Sequence, residues 1–259
     1  MIIDTKDLLI LGISPYMFMA GIGFVCAYFC FIMLLAINGH NIRKTNIDLI
    51  ISLFGLFIGA KSLGIISKIV VAMRQQEPIR IDTLMNAGIV FYGGLIGFLL
   101  TFLLLNKIRN KRIDLDVLDI IAVCIPIFHC FARIGCFLVG CCYGIENHGF
   151  LSILYRAHDL ELTQRIPVQL FEAGINIAIF VILLILFNKK KFSKLLLPLY
   201  LSMYSVSRFF LEFIRGDSSR GHIGFLSVSQ VISLLIMMLL IGLAIISKKR
   251  RSRLNEIFQ

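Results

Sequence analysis

Seven apolar stretches, each close to the length of a membrane-spanning helix, recur from one end of the chain to the other. They run roughly 14–37, 49–71, 88–106, 117–134, 167–187, 195–214 and 225–247, the fourth and sixth carrying polar groups near one end. A helix rises about 1.5 Å per residue, so about 20 apolar residues cross a hydrocarbon core about 30 Å thick. The pattern predicts an all-α polytopic membrane protein with seven transmembrane helices. It also predicts a single membrane domain over 1–259, with no separate soluble one. Composition agrees: 58% of residues are hydrophobic and 16% charged, against about 25% charged in soluble domains. The net charge of +11 does not point to nucleic acid, because the basic residues stand in short runs between apolar segments and no nucleic-acid module is present. No basic stretch followed by a small-residue cleavage site opens the chain, and residues 1–12 read as an amphipathic lead-in at the membrane interface.

Those basic runs set an orientation. Arg43 and Lys44 lie in the first connector, and Lys107, Arg109, Lys111 and Arg112 in the third. Lys189, Lys190, Lys191 and Lys194 lie in the fifth, and Lys248, Lys249, Arg250, Arg251 and Arg253 in the tail at 248–259. Together they hold more than half of the 26 basic residues. Cytosolic loops concentrate Lys and Arg, so these stretches are expected inside and the N-terminus outside. The even connectors then face outward, and the longest of them, about 135–166, is the main external loop.

Several residues are out of place in hydrocarbon. His129 and Arg133 lie four apart, and Arg208, Glu212 and Arg215 follow at spacings of four and three, so each set shares a helical face. Ionisable groups within spans are costly and mark function, the competing reading being side chains that reach back to the interface, as suits Arg215. Two arginines at the depth of the outer leaflet suit a lipid phosphate, whose oxygens match the guanidinium donors. Glu212 is placed to orient Arg208 or to act as a base. Gln169 and Glu172 open the fifth segment and either line the same cavity or serve as caps and solvent contacts.

Tyr92-Gly93-Gly94 opens another segment, where glycine permits close approach to a ligand or to a neighbouring helix. In ARIGCFLVGCCYG, Gly135, Gly140 and Gly144 interrupt an apolar run and predict an outward-facing broken or re-entrant segment. Cys136, Cys141 and Cys142 lie in it. They serve as packing residues, as a disulfide or metal-ligand set, or as a thiol activated by Arg133. With seven cysteines in all, a complete disulfide framework is not expected.

In this order the motifs resemble the prolipoprotein diacylglyceryl transferase family over nearly the whole chain. FYGGLIG is similar to the family's HGGLIG element, and ARIGCFLVGCCYG to its GRIGNF-x-NGE-x-x-G signature. RIPVQLFEAG is similar to HP-[ST]-QLYE, YSVSRFFLEFIRGD to R-F-x-x-EF-x-R, and FLSVSQVISL, with Gln230, to the closing segment. The resemblance implies transfer of a diacylglyceryl group from phosphatidylglycerol, an anionic membrane phospholipid, to the lipobox cysteine of an exported lipoprotein precursor. That reaction uses no cofactor and no metal, and runs at the outer face of the bacterial cytoplasmic membrane. Arg133, Arg208, Glu212 and Tyr92 are the implied catalytic residues. Gly93, Gly94, Cys136, Cys141, Tyr143, Gln169, Glu172 and Arg215 are the implied substrate-binding ones. The chain departs from the family where a histidine is Tyr92, an asparagine is Cys136 and a glutamate is Cys141. Those departures leave open a transferase of the same fold with another acceptor. A non-catalytic lipid-binding or transport protein is the alternative from a different class.

Overall fold

The computed structural model describes residues 2–4, 10–76, 78, 81–85, 88, 90–109, 114–156, 161–217, 222–223 and 225–257. Residues 5–9 of the expected lead-in, Lys111 and Arg112, residues 157–160 of the external loop, and 218–221 and 224 of the sixth connector lie outside these. The helices are α1 (Pro15–Ile37), α2 (Ile42–Gln75), the short α3 (Ile81–Met85), α4 (Phe91–Ile108), α5 (Leu115–Val139), α6 (Val168–Asn188), α7 (Leu196–Leu211) and α8 (Val228–Ile257). A three-residue 3-10 turn, Glu212–Ile214, extends α7. Each of the seven apolar segments falls on one of the seven long helices. Among the described residues, five stretches are long and apolar enough to cross a membrane: Pro15–Ile37, Ile42–Val70, Leu115–Val139, Val168–Asn188 and Val228–Ile246. The protein is therefore a multi-pass membrane protein.

Its polarity is inverted relative to a soluble fold. Phe24, Phe29, Leu239 and Ile245 are exposed, whereas Asp119, Gln169, Glu172, Asn176, Arg208, Gln230 and Ser233 are buried. Buried polar side chains in apolar helices satisfy themselves locally where they can. Asn106 donates to the Phe102 carbonyl at 2.8 Å, Asn176 to that of Glu172 at 2.8 Å, and Ser233 to that of Ser229 at 2.9 Å.

The chain divides into two compact units. One, residues 35–117, is built on α2 and α4. The Asn41 side chain caps α2 by accepting the Lys44 N–H at 3.0 Å, and Gln76 ends it in the left-handed conformation, φ 55°. Gly55 and Gly59 on α2 face Gly93 and Gly97 on α4, both pairs four residues apart. A Cβ on Gly59 would collide with the Gly93 carbonyl, and one on Gly97 with the Gly55 carbonyl. This is small-residue packing, in which missing side chains let two backbones touch and dispersion replaces the absent hydrophobic drive. An Arg109–Asp48 ion pair also ties α4 to α2 in this unit.

The other unit comprises 1–34 and 118–259. Here α1 meets α5 at Gly23 and Gly135. A Cβ on Gly23 would lie 2.7 Å from Phe131 Cβ, and one on Gly135 3.0 Å from Tyr16 Cα. Asp119 caps α7 from a distant point in the chain, accepting the Leu196 N–H at 2.9 Å and also the Lys194 N–H. β2 (Ile153–Arg156) and β3 (Leu162–Arg165) form an antiparallel hairpin within the 135–166 loop, and β1 (Ile2–Asp4) adds to β2 in parallel, Ile3 opposite Tyr155. A second, two-stranded hairpin, β4 (His222–Ile223) and β5 (Leu226–Ser227), precedes α8.

Candidate functional site

The expected break begins later than the sequence suggests. Helix α5 continues through Gly135 and stops at Val139, because Gly135 is needed for helix contact and not for a bend. The stop is Gly140, in the left-handed region at φ 83°. Its N–H donates to the Phe137 carbonyl at 3.2 Å, and the Cys141 N–H reaches back to the Cys136 carbonyl at 3.1 Å. This pair of crossed bonds is the Schellman helix stop. Cys142 follows at φ 60° and turns the chain again.

From there the loop is bound to the end of α7. The Ile145 N–H donates to the Ile214 carbonyl and the Gly216 N–H to the Tyr143 carbonyl, both at 3.0 Å. Gly144 and Gly216 permit this approach, since a Cβ on Gly216 would lie 2.8 Å from the Gly144 carbonyl carbon. Tyr155 anchors the other side, donating to the Phe137 carbonyl at 2.7 Å and stacking on its ring at 5.1 Å.

Five expected charged residues meet in this unit, Arg133, Glu172, Arg208, Glu212 and Arg215, with Glu172 at the centre. Arg133 Nη2 lies 2.8 Å from Glu172 Oε1, and Arg208 Nη1 lies 3.9 Å from Glu172 Oε2. Arg208 Nη2 pairs with Glu212 Oε2 at 2.8 Å, one helical turn on, and that oxygen lies 3.9 Å from Arg215 Nε. Arg215 is held by both oxygens of Asp217, at 2.8 and 2.6 Å. Three guanidiniums thus alternate with three carboxylates, which offsets the cost of taking each charge out of water. Arg208 Nη1 and Arg215 Nη1 are buried and make no hydrogen bond among the described residues. Glu172 Oε2 and Glu212 Oε2 are likewise buried without a hydrogen bond, so donors and acceptors with spare capacity lie side by side in this chain.

Arg215 differs from expectation. In place of a side chain reaching water, its guanidinium arm is 3% exposed, because Asp217 folds back over it. Burial works against its charge, but the Asp217 hydrogen bonds hold its pKa above the usual arginine range. Tyr204 and Ser229 were not foreseen. The Tyr204 hydroxyl donates to Glu172 Oε1 at 3.4 Å, and Arg208 Nη2 donates to Ser229 Oγ at 3.2 Å. Tyr204 precedes Arg208 by four, a spacing that signals a shared face. His129 is buried, 3.1 Å from the Tyr200 hydroxyl, with its ring tilted 33° against that of Tyr204 at 5.0 Å between centroids.

The remaining expected residues are distributed as follows. Gln169 donates to the Cys141 carbonyl at 2.7 Å, tying α6 to the Cys loop. Tyr143 lies beneath the Arg165 guanidinium, 5.0 Å from its centroid. Cys136, Cys141 and Cys142 cluster with all their sulfurs within 4.8 Å of one another. Hydrogen bonding to its two neighbours, with burial, pushes the Cys141 thiol well above the usual thiol range, which disfavours an isolated nucleophile. Tyr92, Gly93 and Gly94 belong to the other compact unit. Tyr92 is buried there, and both glycines face α2. Beside the charged chain, α6 and α7 leave an apolar groove of about 460 Å³ lined by Ile175, Ile179, Met203 and Val206 among others. Its lining begins one turn beyond Glu172.

Residues 7–246 match the family model described as prolipoprotein diacylglyceryl transferase. The chain belongs to that family. It is 35% identical over 229 residues to the phosphatidylglycerol–prolipoprotein diacylglyceryl transferase 2 of Clostridium perfringens, covering 88% of each chain. It is 31% identical over 199 residues to the corresponding transferase of Clostridium tetani, covering 76% of this chain and 78% of that one. A Helicobacter acinonychis transferase is 33% identical over 178 residues, covering 65% of this chain and 61% of the relative. Arg133, Glu172 and Arg208 sit within the matched region, as do the three clustered cysteines.

Proposed function

We propose that the protein transfers a diacylglyceryl group from phosphatidylglycerol to the lipobox cysteine of a prolipoprotein at the outer face of the cytoplasmic membrane. Family membership supports the transferase class. The observation that carries the reading here is the buried chain Arg133–Glu172–Arg208–Glu212–Arg215, with two guanidinium nitrogens left as unused donors. The phosphodiester accepts from Arg133, Arg208 and Arg215, while Glu172 and Glu212 hold the guanidiniums in place. The acyl chains lie in the α6–α7 groove. The acceptor sulfur attacks the glycerol carbon, the C–O bond breaks, and glycerol phosphate leaves with the electron pair. Charge grows on the phosphate as the bond breaks, so fixed guanidiniums favour that state over the bound lipid. The family resemblance alone assigns Tyr92 a role, as a hydroxyl that holds the acceptor or relays its proton.

The topology belonging to this proposal has seven spans, an external N-terminus, 135–166 as the main outer loop and a cytosolic 248–259 tail. A second reading, another acceptor on the same scaffold, is favoured by Cys136 and Cys141 at positions where the resembled signature carries asparagine and glutamate. Reconstitution separates the two. Purified protein in phosphatidylglycerol vesicles is given a lipobox peptide, the same peptide with serine for cysteine, and small thiols. A thioether diacylglyceryl product on the cysteine peptide alone supports the first reading. A product on small thiols alone supports the second.

A further inference from the structure

We infer that Cys136, Cys141 and Cys142 form a three-thiolate zinc site with its fourth coordination position open. Their sulfurs all lie within 4.8 Å of one another. Zinc–sulfur bonds of about 2.3 Å in a tetrahedron set ligand sulfurs about 3.8 Å apart, so small side-chain rotations close the set.

The backbone produces the cluster. The Schellman stop at Gly140 returns Cys141 to the last turn of α5, where Cys136 sits, and Cys141 Sγ lies 3.6 Å from the Cys136 carbonyl oxygen. Cys142 then adopts φ 60°, a left-handed conformation that L residues other than glycine, asparagine and aspartate seldom take. Simple packing does not require a non-glycine residue there. The supporting contacts are those of a fixed ligand loop: Gln169 holds the Cys141 carbonyl at 2.7 Å, and Tyr155 holds that of Phe137 at 2.7 Å.

Charge also fits. Three thiolates and one zinc(II) sum to one negative charge, and a positive charge stands one helical turn away, since Arg133 precedes Cys136 by three residues on α5. Hard cations prefer oxygen ligands, and three sulfurs select a thiophilic one. Structural zinc sites are closed by four protein ligands, whereas three protein ligands and an open position are the composition of reactive zinc.

The role of that open position rests on the transferase reading above. An acceptor thiol coordinates there and loses its proton, and its sulfur forms the C–S bond. The C–O electron pair and the released proton leave with glycerol phosphate. Metal-bound thiols are deprotonated outright, which supplies the thiolate without a strong protein base.

The site is tested without lipid or acceptor, so its failure is separable from that of the transferase reading. Full-length protein purified under reducing conditions should carry about one zinc per chain by elemental analysis. Its zinc X-ray absorption should show three sulfur neighbours at about 2.3 Å. Replacement by cobalt(II) should give a sulfur-to-cobalt charge-transfer band. Cys136→Ser, Cys141→Ser and Cys142→Ser should each abolish that band while circular dichroism keeps the helical content, and Cys26→Ser should leave it intact. Wild-type protein that binds neither ion, copper(I) bound in preference to zinc, or a band that survives all three substitutions overturns the site. Full-rate transfer to a thiol acceptor after complete chelation overturns the catalytic role.

Discussion

Glu172 receives Arg133 at 2.8 Å, joining the last turns of α5 to the first turns of α6, and the same carboxylate faces Arg208 on α7. One acid thus positions two cations that lie far apart in sequence. Removing it leaves Arg133 without its ion pair and Arg208 with Glu212 alone. Glu172→Ala is expected to destabilise the protein by about 3–5 kcal/mol, the cost of breaking a buried ion pair from one side. Thermal unfolding in detergent reads this, and Glu172→Gln, which keeps the shape, should lose less.

The α2–α4 glycines make a sharper pair. Gly93 has no room for a methyl group, because the Gly59 carbonyl occupies that space. At Gly94 the nearest atoms are side-chain carbons of Leu56 and Ala60, 3.2–3.4 Å from an added Cβ. Gly93→Ala should therefore cost about 1–3 kcal/mol, as overpacking does, and Gly94→Ala under about 1 kcal/mol. Equal losses of stability would show that the two positions are not distinguished by helix contact.

Tyr155→Phe keeps the ring stacked on Phe137 but removes the donor to its carbonyl. That carbonyl is left short of a partner, and the expected cost is about 1–3 kcal/mol. A change in unfolding midpoint with unaltered helical content checks it.

The seven long helices were legible in the sequence because each is an apolar run, five of them long and apolar enough to cross a membrane, and the Arg208–Glu212 pair because four residues make one helical turn. Glu172 as the hub was not, since its partners come from two other helices, α5 and α7, and only folding brings them together. Local spacing also misplaced two features. Gly135 reads as a break but serves contact with Tyr16, and Arg215 reads as a surface cation but is enclosed by Asp217. The β1–β2–β3 sheet has strands of three or four residues, too short for an alternating pattern to register.

The proposed orientation rests on the basic clusters. A reporter that works only in the cytosol, fused after Arg253, is expected to be active, and one that works only outside should be silent there. The reverse result would invert the assignment of 135–166 to the outer face.

The central claim is that Arg133 and Arg208 belong to one lipid-phosphate site. Transfer of the diacylglyceryl group in phosphatidylglycerol vesicles, followed by mass spectrometry of the acceptor, tests it most directly. Arg133→Ala and Arg208→Ala should each insert and accumulate yet lose at least about a hundredfold in rate, the equivalent of about 2–5 kcal/mol for a desolvated charged contact. Wild-type rates in both variants would contradict the account.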